Sequence, residues 1–292
     1  MKDTKNTLKL IFAMTIFGTI GIFRNYIPFP SGFVAMSRGF IGVLSLLLVM
    51  LISRKKLCFS AIRENLILLV LSGAFIGINW ILLFEAYRYT SVASATLCYY
   101  MAPVFFIFAS PLVLRERLTL KKCLCAVVAI VGMSFVSGIF DSDFSGVSEL
   151  IGIFFGLGAA VFYATVILLN KKMKNIDSYD MTATQLFVAA AVILPYTLIA
   201  EDISREMINP TSVILLITVG IVHTGIAYAL YFGSVNKLNT QKVALFGYID
   251  PVVAIILSAL VLKDELTVLG IVGAAMILLS MIISEFSENK QA

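Results

Sequence analysis

The chain has 292 residues, 60% of them hydrophobic and 13% charged, with a formal net charge of +5 and a mean hydropathy of +0.99. A soluble domain is about 45–50% apolar and about 25% charged, so a water-soluble fold is excluded: too much apolar surface would face water. The basic excess is no nucleic-acid footprint, because the lysines and arginines sit in short loops between apolar runs, where membrane topology uses them.

A membrane span needs about 20 mostly apolar residues. In chain order, segments 8–23, 33–52, 66–87, 91–114, 123–140, 150–170, 181–200, 211–236, 243–262 and 266–284 meet or approach that length. All are expected to be helices, since only helices and closed barrels satisfy the backbone in lipid, and barrel strands are about half as long. The first segment follows Lys2, Lys5 and Lys9. No small-x-small cleavage pattern comes after it, only Phe23-Arg24-Asn25-Tyr26-Ile27, so it reads as a retained first helix.

Ten crossings also satisfy the charge rule. Seventeen lysines and arginines fall on the side of the N-terminus, four (Arg24, Arg88, Arg205 and Lys263) on the other side, and Arg38 inside a span. This predicts both termini in the cytoplasm, N-in and C-in. The longer loops lie near 140–149 and 201–210, and no soluble domain is expected.

The segment Val113-Leu114-Arg115-Glu116-Arg117-Leu118-Thr119 recurs 148 positions later as Val261-Leu262-Lys263-Asp264-Glu265-Leu266-Thr267. Five apolar segments separate the copies, so the two copies face opposite sides of the bilayer. At the same offset Pro103 matches Pro251, Tyr100 matches Tyr248, Leu97 matches Leu245, Phe84 matches Phe232 and Gly77 matches Gly225. The expected fold class is an all-α membrane protein of ten transmembrane helices, arranged as two inverted five-helix repeats over 1–140 and 141–292. Such duplication with inversion is common in secondary transporters.

The cysteines (Cys58, Cys98, Cys123 and Cys125) show no disulfide framework. The C-x-C at Cys123 and Cys125 is not a zinc spacing, and there is one histidine, so neither a metal nor a cofactor is expected.

Leu97–Thr119 with mid-helix Pro103, and Leu245–Thr267 with Asp250-Pro251, resemble the drug/metabolite transporter superfamily, in particular its ten-helix EamA-like members. Phe84-Glu85-Ala86 followed by Ala93 and Ala95 resembles the end of helix 3 and the start of helix 4 in that family. Arg38 looks like an arginine often found in helix 2, and Asp250 fills an acidic position often found before the helix 9 proline. The resemblance implies a transporter of small metabolites, often a proton-coupled exporter, in a bacterial cytoplasmic membrane. Amino acids, other small metabolites and organic cations are all solutes of such proteins.

Ionisable groups inside a span are expensive and invite a functional question. Asp250, about midway through helix 9, precedes Pro251, which removes a backbone donor and lets the helix bend. Its carboxyl group can take up a proton or a cationic solute group in alternation, or it can be a paired structural group. His223, near the middle of helix 8, can form a proton relay with Asp250 or simply bond a neighbouring helix. Arg38 can bind a solute carboxylate, serve as counter-ion to Asp250, or snorkel outward. Arg24 is expected at the interface, and Glu85 with Arg88 as a local i, i+3 ion pair.

Asn79, Trp80, Tyr99, Tyr100, Tyr163, Thr224, Tyr228, Tyr231 and Tyr248 are candidate cavity-lining residues, and Pro103 and Pro251 candidate helix kinks. An aromatic cavity suits a small, partly apolar solute and can hold an ammonium by cation–π attraction; ordinary packing is the competing reading. Glycines such as Gly18, Gly21, Gly152 and Gly156 read as helix-packing surfaces. The expected partners are the solute, H+ and the lipid bilayer. A monomer suffices, because one chain supplies both halves, and a homodimer is compatible. No nucleotide-binding loop, catalytic constellation or filter ring occurs, so an enzyme, a channel or a receptor without transport coupling is the weaker reading.

Overall fold

The computed structural model describes residues 2–114, 120–136, 147–235, 246–247, 249–263 and 267–288, and no β-strand occurs among them. The first apolar rod is α1 (Lys2–Gly18) continued by α2 (Ile20–Asn25). The two are interrupted at Thr19, whose hydroxyl donates to the Ile16 carbonyl at 2.8 Å. Then come α3 (Ser31–Ile52), the short α4 (Phe59–Glu64) and α5 (Leu66–Tyr89). The next rod is divided into α6 (Val92–Tyr99) and α7 (Ala102–Leu114). Its break at Tyr100–Met101 lies just ahead of Pro103, where a proline in a first helical turn forfeits no backbone bond. The side chain of Ser91 caps α6 by accepting from the Ser94 N–H at 3.0 Å.

Helices α8 (Leu120–Val136), α9 (Val147–Lys172) and α10 (Ser178–Ala200) follow. After a 3-10 turn, α11 (Pro210–Thr218) opens with a capping box between Asn209 and Ser212 and with Pro210 at its first position. It runs into a π-helical segment (Val219–Ile226) and α12 (Ala227–Val235). Helix α13 (Ile249–Leu257) passes into a second π-helical segment (Ser258–Leu262). Lys263 ends it in the left-handed region, with φ 58°. Thr267 starts α14 (Val268–Glu288) by accepting from the Gly270 N–H at 3.0 Å. Most of the repeated loop motif (115–119 and 264–266), most of the expected loop near 140–149, and Tyr248 lie outside the described residues.

Among the described residues six spans are long and apolar enough to cross a bilayer: Thr4–Asn25, Ser31–Ile52, Leu66–Tyr89, Val147–Lys172, Ser178–Ala200 and Pro210–Tyr231. The other four expected segments contain shorter apolar helices, Ser94–Phe106, Cys123–Gly132, Ile249–Leu262 and Val268–Ser280. The outer surface is apolar. Leu112, Ile199, Leu198 and Val268 are all more than 70% exposed, which a protein bathed in water does not tolerate over so much surface. The chain is an integral membrane protein.

In lipid no hydrophobic force draws helices together, so small residues and interhelical hydrogen bonds do that work. Helix α1 packs on α12 and α13, and α3 on α10 and the first π segment. Helix α5 packs on α9 and α10, α6 and α7 on α9, and α8 on α14. Glycine notches set the closest approaches. A Cβ at Gly39 would lie 2.8 Å from the Ala190 Cβ, one at Gly220 2.5 Å from Ile41, and one at Gly225 2.3 Å from the Ser45 Cβ. Polar ties add register. Gln185 donates to Ser72 Oγ (2.7 Å) and Asn170 Oδ1 (2.6 Å). Asn65 exchanges two bonds with the Lys174 backbone (2.8 and 3.0 Å).

Candidate functional site

The first π segment presents consecutive polar residues to two different helices. A π turn carries one extra residue, which redirects side chains, and here Thr224 Oγ1 reaches back to the Val219 carbonyl at 3.4 Å. The same oxygen accepts from Arg38 Nε at 3.0 Å, fixing the arginine of α3. Room for this contact comes from Gly42, where a Cβ would lie 2.2 Å from Thr224 Cγ2. Arg38 is 5% exposed and stacks over the Trp80 ring at 4.3 Å, with Phe84 at 5.8 Å.

The neighbouring His223, buried to 1%, turns toward the first rod. Its Nε2 lies 2.8 Å from the hydroxyl of Thr19, and its ring meets Phe23 edge-on at 4.8 Å. The Thr19 hydroxyl lies between the Ile16 carbonyl and Nε2, and the Thr218 backbone is a further hydrogen-bond partner of the ring.

Asp250 lies at the start of α13, followed by the buried Pro251. Its hydrogen-bond partner is the Tyr100 hydroxyl, and Arg38 stands within electrostatic range. No salt bridge within 4.0 Å joins Arg38 to Asp250 among the described residues. Helix α1 touches α13 here: a Cβ on Gly18 would lie 2.5 Å from the Asp250 carbonyl oxygen. The adjacent pair Gly18 and Thr19 thus contacts both Asp250 and His223.

Of the other candidates, Tyr99 lies against Tyr100 (5.8 Å between centroids) and Tyr163 (5.2 Å). Tyr228 and Tyr231 flank Phe17 at 5.3 and 6.3 Å. Asn79 is 2% exposed and donates to the Ala159 carbonyl at 2.6 Å, so its amide serves the α5–α9 contact. His223 and Asp250 are not joined directly; Thr19 and Tyr100 are their respective partners.

Arg24 differs from the interfacial placement expected of it: it is 6% exposed and donates to the Ile27 carbonyl (2.8 Å) and Ser31 Oγ (2.9 Å). The chain folds back over it between α2 and α3, which a hydropathy pattern does not encode. Beside it Glu201 caps α3 from the far end of α10, accepting from the Gly32 and Phe33 N–H groups at 2.7 Å each. Glu85 and Arg88 form the expected local pair at 3.0 Å.

The EamA-like transporter family model matches residues 5–138 and 150–286 of this chain. The chain belongs to the EamA-like transporter family. It is 29% identical to the uncharacterized transporter YxxF of Bacillus subtilis over 254 residues, covering 86% of this chain and 79% of that one. A second Bacillus subtilis relative, the uncharacterized transporter YoaV, is 25% identical over 87% of each chain. Protein PecM of Dickeya dadantii is 26% identical over 77% of this chain and 76% of its own length. A crystal structure superposes with a TM-score of 0.69 over 99% of both chains at 15% identity, a likeness of fold. Family membership and the apolar helices together make this a membrane transporter of small-molecule solutes.

Proposed function

We propose that this chain is a proton-coupled secondary transporter that exports a small organic metabolite, such as an amino acid or an amine, by alternating access. Ten helices in two inverted repeats, 1–140 and 141–292, form it, with both termini in the cytoplasm of a bacterium. One observation carries the reading: helix packing repeats when the halves are exchanged. The first rod (α1) packs on the rods containing α12 and α13, the third and fourth of the second half. The first rod of that half (α9) packs on α5 and on α6 with α7, the third and fourth rods of the first half. Rods two and seven (α3 and α10) and rods five and ten (α8 and α14) pair with each other. A pseudo-two-fold axis produces this pattern, and two such halves can rock between mirror-related states.

Within this reading Asp250 binds the proton. Asp250 sits where α1 meets α13, with the Tyr100 hydroxyl beside its carboxyl and no cation within 4.0 Å among the described residues. Arg38 and His223 tie solute and proton binding to α3, α1 and the π segment. Trp80, Tyr99, Tyr100, Tyr163, Thr224, Tyr228 and Tyr231 line the path. The test is purified protein in liposomes loaded with a pH-sensitive dye and screened against amino acids, amines and nucleobases. Solute-driven proton movement in the wild type, absent in Asp250→Asn, supports the proposal. Undiminished proton movement in Asp250→Asn removes Asp250 from its role.

A further inference from the structure

Arg38 is a buried cation only partly satisfied by the protein. Its Nε is committed to Thr224, but neither Nη nitrogen has a hydrogen-bond partner among the described residues. Neither is sealed away, since both lie outside the set of buried atoms without partners. No carboxylate stands within 4.0 Å of it among the described residues. The other arginines of this end of the molecule differ: both Nη nitrogens of Arg24 are bound to Ile27 and Ser31, and Arg88 is bound to Glu85. Tyr228, Tyr99, Tyr87, Asp250 and His223 lie within electrostatic range of Arg38. An open guanidinium fork in low dielectric is a strong receptor for a planar or tetrahedral oxyanion.

The aromatic wall points the same way. Trp80 is the chain's one tryptophan and the best seat for an ammonium. Its face is already covered by the Arg38 guanidinium at 4.3 Å. A simple amine arriving there meets a fixed like charge in place of an open ring.

Resting on the transport reading above, we infer that the solute carries an anionic oxygen group, a carboxylate or a phosphate, that docks on the free Nη edge of Arg38. Thr224 and Trp80 act as positioning residues for that guanidinium. A basic group on the solute is accommodated only if it accompanies the anion and faces Asp250.

The test uses the full chain in lipid nanodiscs and two matched probe sets. One comprises alanine, ethylamine, propionate and ethyl phosphate; the other phenylalanine, phenethylamine, 3-phenylpropionate and phenyl phosphate. Binding is read as thermal stabilisation over a concentration series. In at least one set an anion-bearing member should bind at least about tenfold more tightly than the amine, because a site built to hydrogen-bond a group rejects analogues lacking it. The propionate and phosphate arms separate the two sources of the anion. Arg38→Gln should abolish the difference, and Arg38→Lys should weaken it by removing the fork while keeping the charge. Amines binding as tightly as their anionic partners, or no anionic member binding, overturns the inference; the wild-type comparison alone decides this, even if the variants fold poorly. Amine-driven proton flux in liposomes would defeat the anion preference and leave transport standing. Anion binding without any flux would do the reverse.

Discussion

Thr19 and His223, 204 positions apart in the chain, share a hydrogen bond of 2.8 Å at the one break in the first membrane rod. The break and the bond have a common origin: the threonine hydroxyl is drawn to the Ile16 carbonyl while its oxygen serves the imidazole. Thr19→Val should therefore leave the buried Nε2 of His223 without its hydroxyl partner, at about 1–3 kcal/mol. Thr19→Ser should retain most of the wild-type behaviour. Thermal unfolding in detergent, together with solute flux, distinguishes the two variants.

Gly18 offers a sharper steric test. Its added Cβ would meet the backbone oxygen of Asp250 at 2.5 Å, and a backbone atom cannot rotate away. Gly18→Ala should separate α1 from α13, lowering stability by about 1–3 kcal/mol and transport more than proportionately. Gly158→Ala, whose Cβ would sit 3.4 Å from a Leu82 methyl, should be close to neutral. Equal effects of the two in a thermal-shift and flux comparison would contradict this packing.

Glu201 closes the N-terminus of α3 with two bonds of 2.7 Å. Carboxylates at such ends satisfy orphan N–H groups and complement the helix dipole, and losing one costs about 0.5–2 kcal/mol. Glu201→Ala should lower the unfolding temperature, and Glu201→Gln should recover part of the loss. A Glu201→Ala protein as stable as wild type would show that water caps the helix equally well.

Cys58 reports on orientation. It is exposed in the linker between α3 and α4, its sulfur 3.3 Å from Ser60 Oγ. The Ser60 hydroxyl, then the Ala61 backbone, hold the thiol below the usual cysteine pKa. The thiolate is the reactive form, so maleimide labelling should reach its plateau at a lower pH than for a free cysteine. With the termini inside, an impermeant maleimide should modify Cys58 in inside-out vesicles and leave it untouched in intact cells.

The inverted repeat is tested by the same chemistry at Arg117→Cys and Glu265→Cys in a background lacking native cysteines. The two sites should label from opposite faces of the membrane. Labelling of both from outside would rule out the inversion.

Composition and apolar length carried the helical class and the membrane setting, because both respond directly to the bilayer, while the family was legible in the resemblance of Leu97–Thr119 and Leu245–Thr267. What the sequence hid was pairing. Thr19 reads as an ordinary helical residue until His223 is set beside it, and Thr224 gives no hint that it orients Arg38. Arg24 looks interfacial by its place in the chain, yet the fold-back to Ser31 buries it. The π segment at Val219–Ile226 depends on which residues the neighbouring helices offer, so helical periodicity alone does not mark it.

The packing of α1 also constrains how the protein is made. Its main partners among the described residues, α12 and α13, leave the ribosome some 200 residues after it does. The earliest helix must therefore wait in the bilayer, bordered by lipid or by insertion machinery, until α12 and α13 arrive. Assembly of the N-terminal part is thus a late event of biogenesis, and a nascent chain truncated before residue 219 would be a ready substrate for membrane proteases.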